Sequence, residues 1–273
     1  MKKVALITGA SSGIGKSVAE YLFDHGYIVY GAARRADKMA DLQTRGIKIL
    51  TMDVTDENSA RSGVEKIITT EGRIDVLINN AGFGSYGAVE DVSIDDAKYQ
   101  MEVNVFGAAR LIKMVLPHMR AQHAGKIVNI SSIGGKLAMP FGGWYHASKF
   151  ALEALSDSLR NEVRPFGIDV IVIEPGGIKS EWSGIAHDSL LRVSGKTAYK
   201  ELAEPVAGAL SSVDSKVPGP ILISKLIYKA ITVNKPLARY SGGFMAKPAL
   251  FMRKVLSDNM FDKMIMSQVK RMK

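Results

Sequence analysis

Tyr145 and Lys149 stand four residues apart in the segment WYHASKF, residues 144–150. On a helix that spacing puts a phenol and an ammonium on one face, one turn apart, where the cation favours the phenolate and lowers the tyrosine's pKa. A tyrosine that titrates nearer neutrality can act as an acid or a base. His146 points about 100° away on such a helix and reads as structural or substrate-facing.

Residues 8–15, TGASSGIG, supply a second chemical signal between an apolar run and a helical pattern. There Thr8, Gly9, Ser11, Ser12, Gly13, Ile14 and Gly15 read as a phosphate-binding loop. Glycines let the backbone turn sharply against a pyrophosphate, and the helix N-terminus offers N–H donors and a positive dipole end. The spacing is GxxxGxG rather than GxGxxG, and a merely tight strand-to-helix turn is the alternative. At the end of the second apolar run, Arg34 and Arg35 occupy the place where an acid would bind ribose hydroxyls. Cations there suit a 2′-phosphate, hence NADP (NADPH) over NAD; otherwise they are two solvated surface arginines. Asp53, followed by Val54, can accept from an adenine amino group or cap the next helix, a task for which Thr55 and Asp56 compete.

The elements that must carry these residues are apolar runs at 4–8, 27–32, 47–54, 76–81, 126–132 and 168–175. They alternate with helical patterns at 14–25, 37–45, 57–70, 94–118 and 145–164. Unbroken β-branched runs between helices predict parallel strands buried on both faces. The expected fold is therefore α/β, a single doubly wound Rossmann-type domain over 1–273 with a central parallel sheet flanked by helices. The opening MKKVALITGA holds too short an apolar run for a signal peptide and reads as the first strand. Past Pro175 the alternation is lost, so residues 180–224 are expected as loops and short helices. Residues 185–273 form a variable substrate-loop and basic helical C-terminal region, ending in an amphipathic helical extension from Phe244 onward.

With 273 residues, 47% of them hydrophobic, the chain can bury a full core. No run approaches the roughly 20 apolar residues of a membrane-spanning helix. The absence of cysteine rules out disulfides and thiol chemistry and fits a reducing compartment, so a cytoplasmic location is expected. Five scattered histidines form no metal-ligand spacing. The net charge of +9 lies entirely in residues 225–273, where the only acids are Asp258 and Asp262. That tail reads as a solvated helix over the core, a contact with an anionic membrane, or a dock for an acidic partner such as an acyl carrier protein. Nucleic acid is not expected, since charge without a binding fold is a poor argument.

TGASSGIG, NNAG (79–82), Asn104 in NVFG, Ser132 in NISS, YHASK and PGG (175–177) occur in this order. In them the chain resembles the short-chain dehydrogenase/reductase family over at least residues 1–185. The stretch after Ser180, the KPLARY segment and the Met-rich end resemble, less closely, its hydroxysteroid and retinol dehydrogenase subgroup. The resemblance implies an NADP-dependent oxidoreductase acting on alcohol and carbonyl groups. Tyr145 is then the acid/base, and Lys149 tunes it while binding the nicotinamide ribose. Ser132 holds the substrate oxygen, and Asn104 a water in a proton relay. Asn80, Ala81 and Gly82 would line the adenosine and ribose side, and Pro175, Gly176, Ile178 and Ser180 the nicotinamide; Ser180 replaces the family's usual threonine. A homodimer or homotetramer is also implied.

Phe83, Tyr86, Met139, Phe141, Trp144 and Trp182 fall on the expected substrate side, with Met139 joining Ser132 and Tyr145 as a substrate contact. These apolar and aromatic groups favour a lipophilic ketone or aldehyde over a sugar, although core packing explains several equally well. Two rival readings are a 3-oxoacyl-thioester reductase and a catalytically silent NADP-binding regulatory or scaffold protein.

Overall fold

A computed structural model describes residues 1–211 and 217–271. Strands β1 (Val4–Thr8), β2 (Ile28–Ala33), β3 (Lys48–Thr51), β4 (Val76–Asn79), β5 (Gly125–Ile130), β6 (Ile168–Pro175) and β7 (Arg239–Gly242) form one sheet in the order β3-β2-β1-β4-β5-β6-β7. Every pairing is parallel. The chain winds outward from β1 to β3, then returns to lay β4 on the other side of β1. This reversal leaves a crevice beyond the carboxyl ends of β1 and β4, where doubly wound sheets bind ligands.

Helices α1 (Gly13–Asp24), α2 (Ala40–Thr44), α3 (Glu57–Glu71), α5 (Gly107–Ala121), α6 (Gly143–Val163) and α9 (Ile221–Thr232) cover the sheet. Ile7, Val18, Leu22, Ile78, Ile173 and Ile227 share one core, and Leu6, Leu77, Leu111, Val115, Ile127 and Leu159 the other. Neighbours Leu6 and Ile7 enter opposite cores and are both fully buried, which is why the strands read as continuous apolar runs. Among the described residues, no helix is long and apolar enough to cross a membrane.

The structure departs from the sequence expectations in five places. β3 stops at Thr51 because Asp53 turns the chain, its Oδ1 accepting from Thr55 N at 2.9 Å. The helix expected over 94–118 is α4 (Ile94–Met101) and α5 joined by a π turn at Glu102–Phe106. Within that turn Asn104 bonds the Phe83 backbone, and π turns often mark such sites. Residues 180–224 hold fuller helices than expected, α7 (Trp182–Ser194), α8 (Lys200–Ser211) and most of α9's start, although 212–216 lie outside the described residues. α7 and α8 persist because Ala186, Leu190, Ala203 and Ala207 bury one another against Tyr86, Phe141 and Tyr145. The C-terminal extension is two helices, α10 (Ala246–Val255) and α11 (Asp258–Arg271). The break at Leu256 lets Phe261 and Ile265 fold back onto Leu137.

The fifth departure is β7 itself, whose RYSG has no apolar run to announce it. Its anchor is charge. Arg239 Nε donates to Glu153 Oε2 at 2.9 Å, and Nη2 reaches both Asp157 oxygens at 2.8 and 2.7 Å. Glu174, on β6, lies 3.5 Å from the same guanidinium, and Glu153 and Glu174 are 3% and 5% exposed. Removing the cation leaves buried carboxylates uncompensated, so Arg239→Met should cost about 3 kcal/mol or more in urea unfolding. A loss below about 1 kcal/mol would show that β7 is held by packing alone.

Candidate active site

At the switch point, Thr8 and Asn80 lace the ends of β1 and β4 together. Thr8 Oγ1 accepts from the N–H groups of Asn80 and Ala81, both at 3.0 Å, and Asn80 Nδ2 donates to the Thr8 and Gly9 carbonyls at 3.0 and 3.3 Å. Gly9 and Gly13 have φ of +67° and +54°, the left-handed region that glycine enters without penalty. A Cβ on Gly15 would sit 2.3 Å from the Gly9 carbonyl oxygen, so the helix can approach this loop only as glycine. Ser12 is the N-cap of α1, yet its hydroxyl makes no capping bond, and the first turn holds no acid. Ser11 is half-buried in the loop, and Ile14 packs into the core behind it. Uncapped donors at a positive helix end form a donor set that fits a dinucleotide's pyrophosphate.

Farther along the same edge, Asp56 rather than Asp53 caps α3, accepting from Ser59 N at 2.6 Å. Asp53 Oδ1 takes Thr55 N and Oγ1, and its second oxygen has no partner among the described residues, as a contact to an adenine amine requires. Val54 is buried, with its carbonyl accepting from Arg110 at 2.6 Å. Arg34 and Arg35 are exposed directly beyond β2. Arg34 Nη1 donates to Tyr99 OH at 2.8 Å, while Arg35 is unpaired among the described residues. The pair fits a 2′-phosphate by charge and by position.

The residues read as catalytic converge from three elements. Ser132 precedes the 3-10 turn after β5, its Oγ accepting from Gly134 N at 3.0 Å and lying 3.5 Å from the Pro175 carbonyl. Tyr145 and Lys149 occupy the first turns of α6, and Lys149 Nζ donates to Ile130 O at 2.9 Å. A Cβ on Gly82 would meet Asn104 Oδ1 at 3.1 Å and Lys149 Nζ at 3.6 Å, so the loop after β4 closes onto both. Asn104 spends its amide on the protein: Oδ1 accepts from Phe83 N, and Nδ2 donates to Phe83 O and to Ser148 Oγ. Ser148 Oγ in turn donates to the Tyr145 carbonyl at 2.7 Å. Asn104 therefore braces Tyr145's helix; both Nδ2 donors are spent, so a water held by its side-chain amide, as the resemblance implies, would have to donate to the remaining lone pair of Oδ1.

His146 is a brace that the sequence left open. Its Nδ1 donates to Gly134 O and its Nε2 accepts from Met139 N, both at 3.0 Å, a pattern that requires the neutral ring. Burial lowers its pKa, so one imidazole pins both ends of the loop that leaves Ser132. Tyr86 and Trp182 pack on the Tyr145 ring at centroid distances of 5.8 and 5.3 Å, with Phe141 in the same cluster. Met139 falls into a separate cluster with Ile133, Leu137 and α10, and Phe83 packs instead on Tyr99. Trp144 Nε1 is buried without a partner among the described residues. Gly176 and Gly177 press against Phe244, whose backbone bonds Gly177 twice. Ile178 joins the core, and Ser180 faces Gly13 across 3.6 Å measured from a Cβ built there.

The electrostatics reverse one sequence expectation. Tyr145's pKa is raised, because burial of the phenol outweighs the opposing Ser132 hydroxyl. Lys149 Nζ, turned toward Ile130, lies 5.9 Å from the ring centroid. Burial lowers Lys149 to about 8, against the pull of Glu153. The phenol is thus held in its protonated form over an ammonium that discharges as pH rises through about 8. Were Tyr145 to donate its proton, the phenolate left behind would lose its stabilising charge with the cation gone. The kcat/KM for carbonyl reduction should fall through that pH, and a profile flat well above it would remove Lys149 from this role.

A family model described as short chain dehydrogenase matches residues 3–188. The chain is 47% identical over 174 residues to the 3-ketodihydrosphingosine reductase of Bacteroides thetaiotaomicron, a match covering 64% of this chain and 63% of that one. It is 33% identical over 287 residues to the NADPH-dependent 3-dehydrocapnine reductase of Ornithobacterium rhinotracheale, covering 99% and 98% of the two chains. The crystal structure of a short-chain dehydrogenase from Streptomyces avermitilis superposes with a TM-score of 0.82 at 32% identity over 99% of this chain and 98% of that one. Sheet order, switch-point loop and helix-borne tyrosine and lysine thus agree with a match over more than half the sequence: the chain belongs to the short-chain dehydrogenase family.

Proposed function

We propose that this protein is an NADP(H)-dependent oxidoreductase that interconverts a lipophilic ketone or aldehyde and its alcohol. The observation that carries this reading is a buried, protonated Tyr145 beside the Ser132 hydroxyl, over a buried Lys149, within an apolar aromatic cluster. The NADPH dependence of the Ornithobacterium relative and the exposed Arg34–Arg35 pair support the cofactor choice.

The bound nicotinamide would supply the hydride to the carbonyl carbon, or accept it in the reverse direction. The chain's own groups handle the oxygen. Ser132 Oγ–H donates a hydrogen bond to it, and Tyr145 O–H passes its proton to it as negative charge develops. Lys149, held on Ile130 O, stabilises the phenolate that remains, and in the oxidative direction the phenolate takes the proton back. Trp182, Tyr86 and Phe141 exclude water and select an apolar substrate. The Bacteroides relative is a 3-ketodihydrosphingosine reductase, which makes 3-ketodihydrosphingosine the first compound to assay. A 3-oxoacyl-thioester reductase is the rival enzyme. The intact Ser132, Tyr145 and Lys149 speak against a silent cofactor-binding scaffold. A homo-oligomer is part of the proposal, supported by Phe106 and Phe150, 52% and 45% exposed on the helices flanking the site.

Tyr145→Phe should bind NADPH normally and lose about two to four orders of magnitude in kcat; near-normal kcat would sink the mechanism. Steady-state kinetics should favour 3-ketodihydrosphingosine over an acetoacetyl thioester, and the opposite order would select the rival. Replacing Arg34 and Arg35 by Ser should raise the KM for NADPH at least about tenfold and leave NADH use nearly unchanged. Equal losses with both cofactors would assign these arginines to stability rather than to the phosphate.

A further inference from the structure

We propose that the outward face of α10 docks on an anionic lipid surface, so that the enzyme works at a membrane interface. The idea rests on the lipophilic-substrate reading above. The two sides of this helix differ sharply. Its inward residues Ala249 and Met252 pack with Ile133, Leu137 and Met139, the loop between Ser132 and Tyr145. Its outward residues are Lys247, Phe251, Lys254 and Val255, all exposed, at a spacing that places them on one arc of the helix.

Phe251 is 63% and Val255 56% exposed. A single exposed apolar residue is ordinary; two of them alternating with two lysines on a helix without any acid are the pattern of an interfacial helix. Neither lysine forms an ion pair among the described residues, whereas Arg253, off this arc, is held by Asp258 at 2.8 Å. Met260, just past α10, is also 57% exposed. The segment from 225 onward carries the whole positive excess of the chain, which complements a negatively charged bilayer and not a neutral one.

The position of α10 links this face to catalysis. Phe244, which leads into the helix, exchanges backbone hydrogen bonds with Gly177 at 3.0 and 2.9 Å, on the segment following β6. The helix therefore touches both the Ser132 loop and the Pro175–Gly177 turn. A lipid-facing wall there would let an apolar substrate pass from the bilayer to the site without crossing water. With only ten residues in α10, the contact is peripheral and reversible.

Vesicle sedimentation of the full chain without substrate tests this directly. The protein should bind phosphatidylcholine vesicles containing phosphatidylglycerol and not phosphatidylcholine alone. Lys247→Ala with Lys254→Ala should weaken binding about thirtyfold, and Phe251→Ser with Val255→Ser should abolish it with the charge intact. Both double variants should keep the wild-type thermal unfolding and turnover of a water-soluble ketone. Three results would overturn the proposal: equal binding to both vesicle types, binding indifferent to Phe251→Ser and Val255→Ser, which would indicate charge attraction to any acidic partner, or dissociation of an oligomer by that variant in light scattering, which would indicate a second copy on this face. Because no substrate is present, failure on lipophilic ketones would sink the substrate reading and leave the vesicle result standing.

Discussion

The ammonium of Lys149 is buried to 6% exposure beneath the Tyr145 phenol, and much of the surrounding structure exists to make that tolerable. Burying a cation is costly unless acceptors replace water. Here the Ile130 carbonyl accepts from it, and Glu153, one turn along α6, favours its charged form. Glu153 is itself kept company by Lys136 at 2.9 Å and by Arg239. A chain of charges thus runs from the edge strand β7 through α6 to Lys149. The proposed proton chemistry, which needs a cation there, accounts for a fold that carries this cost at the site.

Position matters as much as charge, and the helix that carries Tyr145 and Lys149 is fixed by buried amides and hydroxyls. Asn79 donates to Asn129 at 2.9 Å, and Asn129 to Ser156 at 2.8 Å, tying β4, β5 and α6 together beneath the site. Above it, Asn104, Ser148 and His146 hold the first turn of α6 and the Ser132 loop. Such buried polar networks specify one arrangement where apolar packing alone would tolerate several, even though Asn79 Oδ1 has no partner among the described residues. The same helix borders the apolar cluster of α7 and α8, so one element carries Tyr145 and helps to shape the apolar surroundings of its ring.

The sheet and the glycine loop were legible because their signals are local. Six of the strands are continuous apolar runs, and the glycines of residues 9–15 lie between a strand and a helix. Tyr145 and Lys149 declared themselves by spacing, but the direction of the phenol's shift did not, since burial and the turn of Lys149 toward Ile130 are tertiary facts. β7 was invisible because an arginine clamp, and not an apolar run, holds it. α7 and α8 were underestimated because each relies on the other to cover its apolar face. His146 could not be assigned from its place beside Tyr145, for its partners Gly134 and Met139 are brought to it by the turn after β5.

The titration of Lys149 itself, followed by NMR of side-chain-labelled lysine in the protein without cofactor, is the most direct measurement. A midpoint near 8 is expected if the buried ammonium is the constraint around which the site is built. A midpoint at the ordinary 10.5 would mean that burial does not penalise the ammonium, and that it is not the constraint around which the site is built.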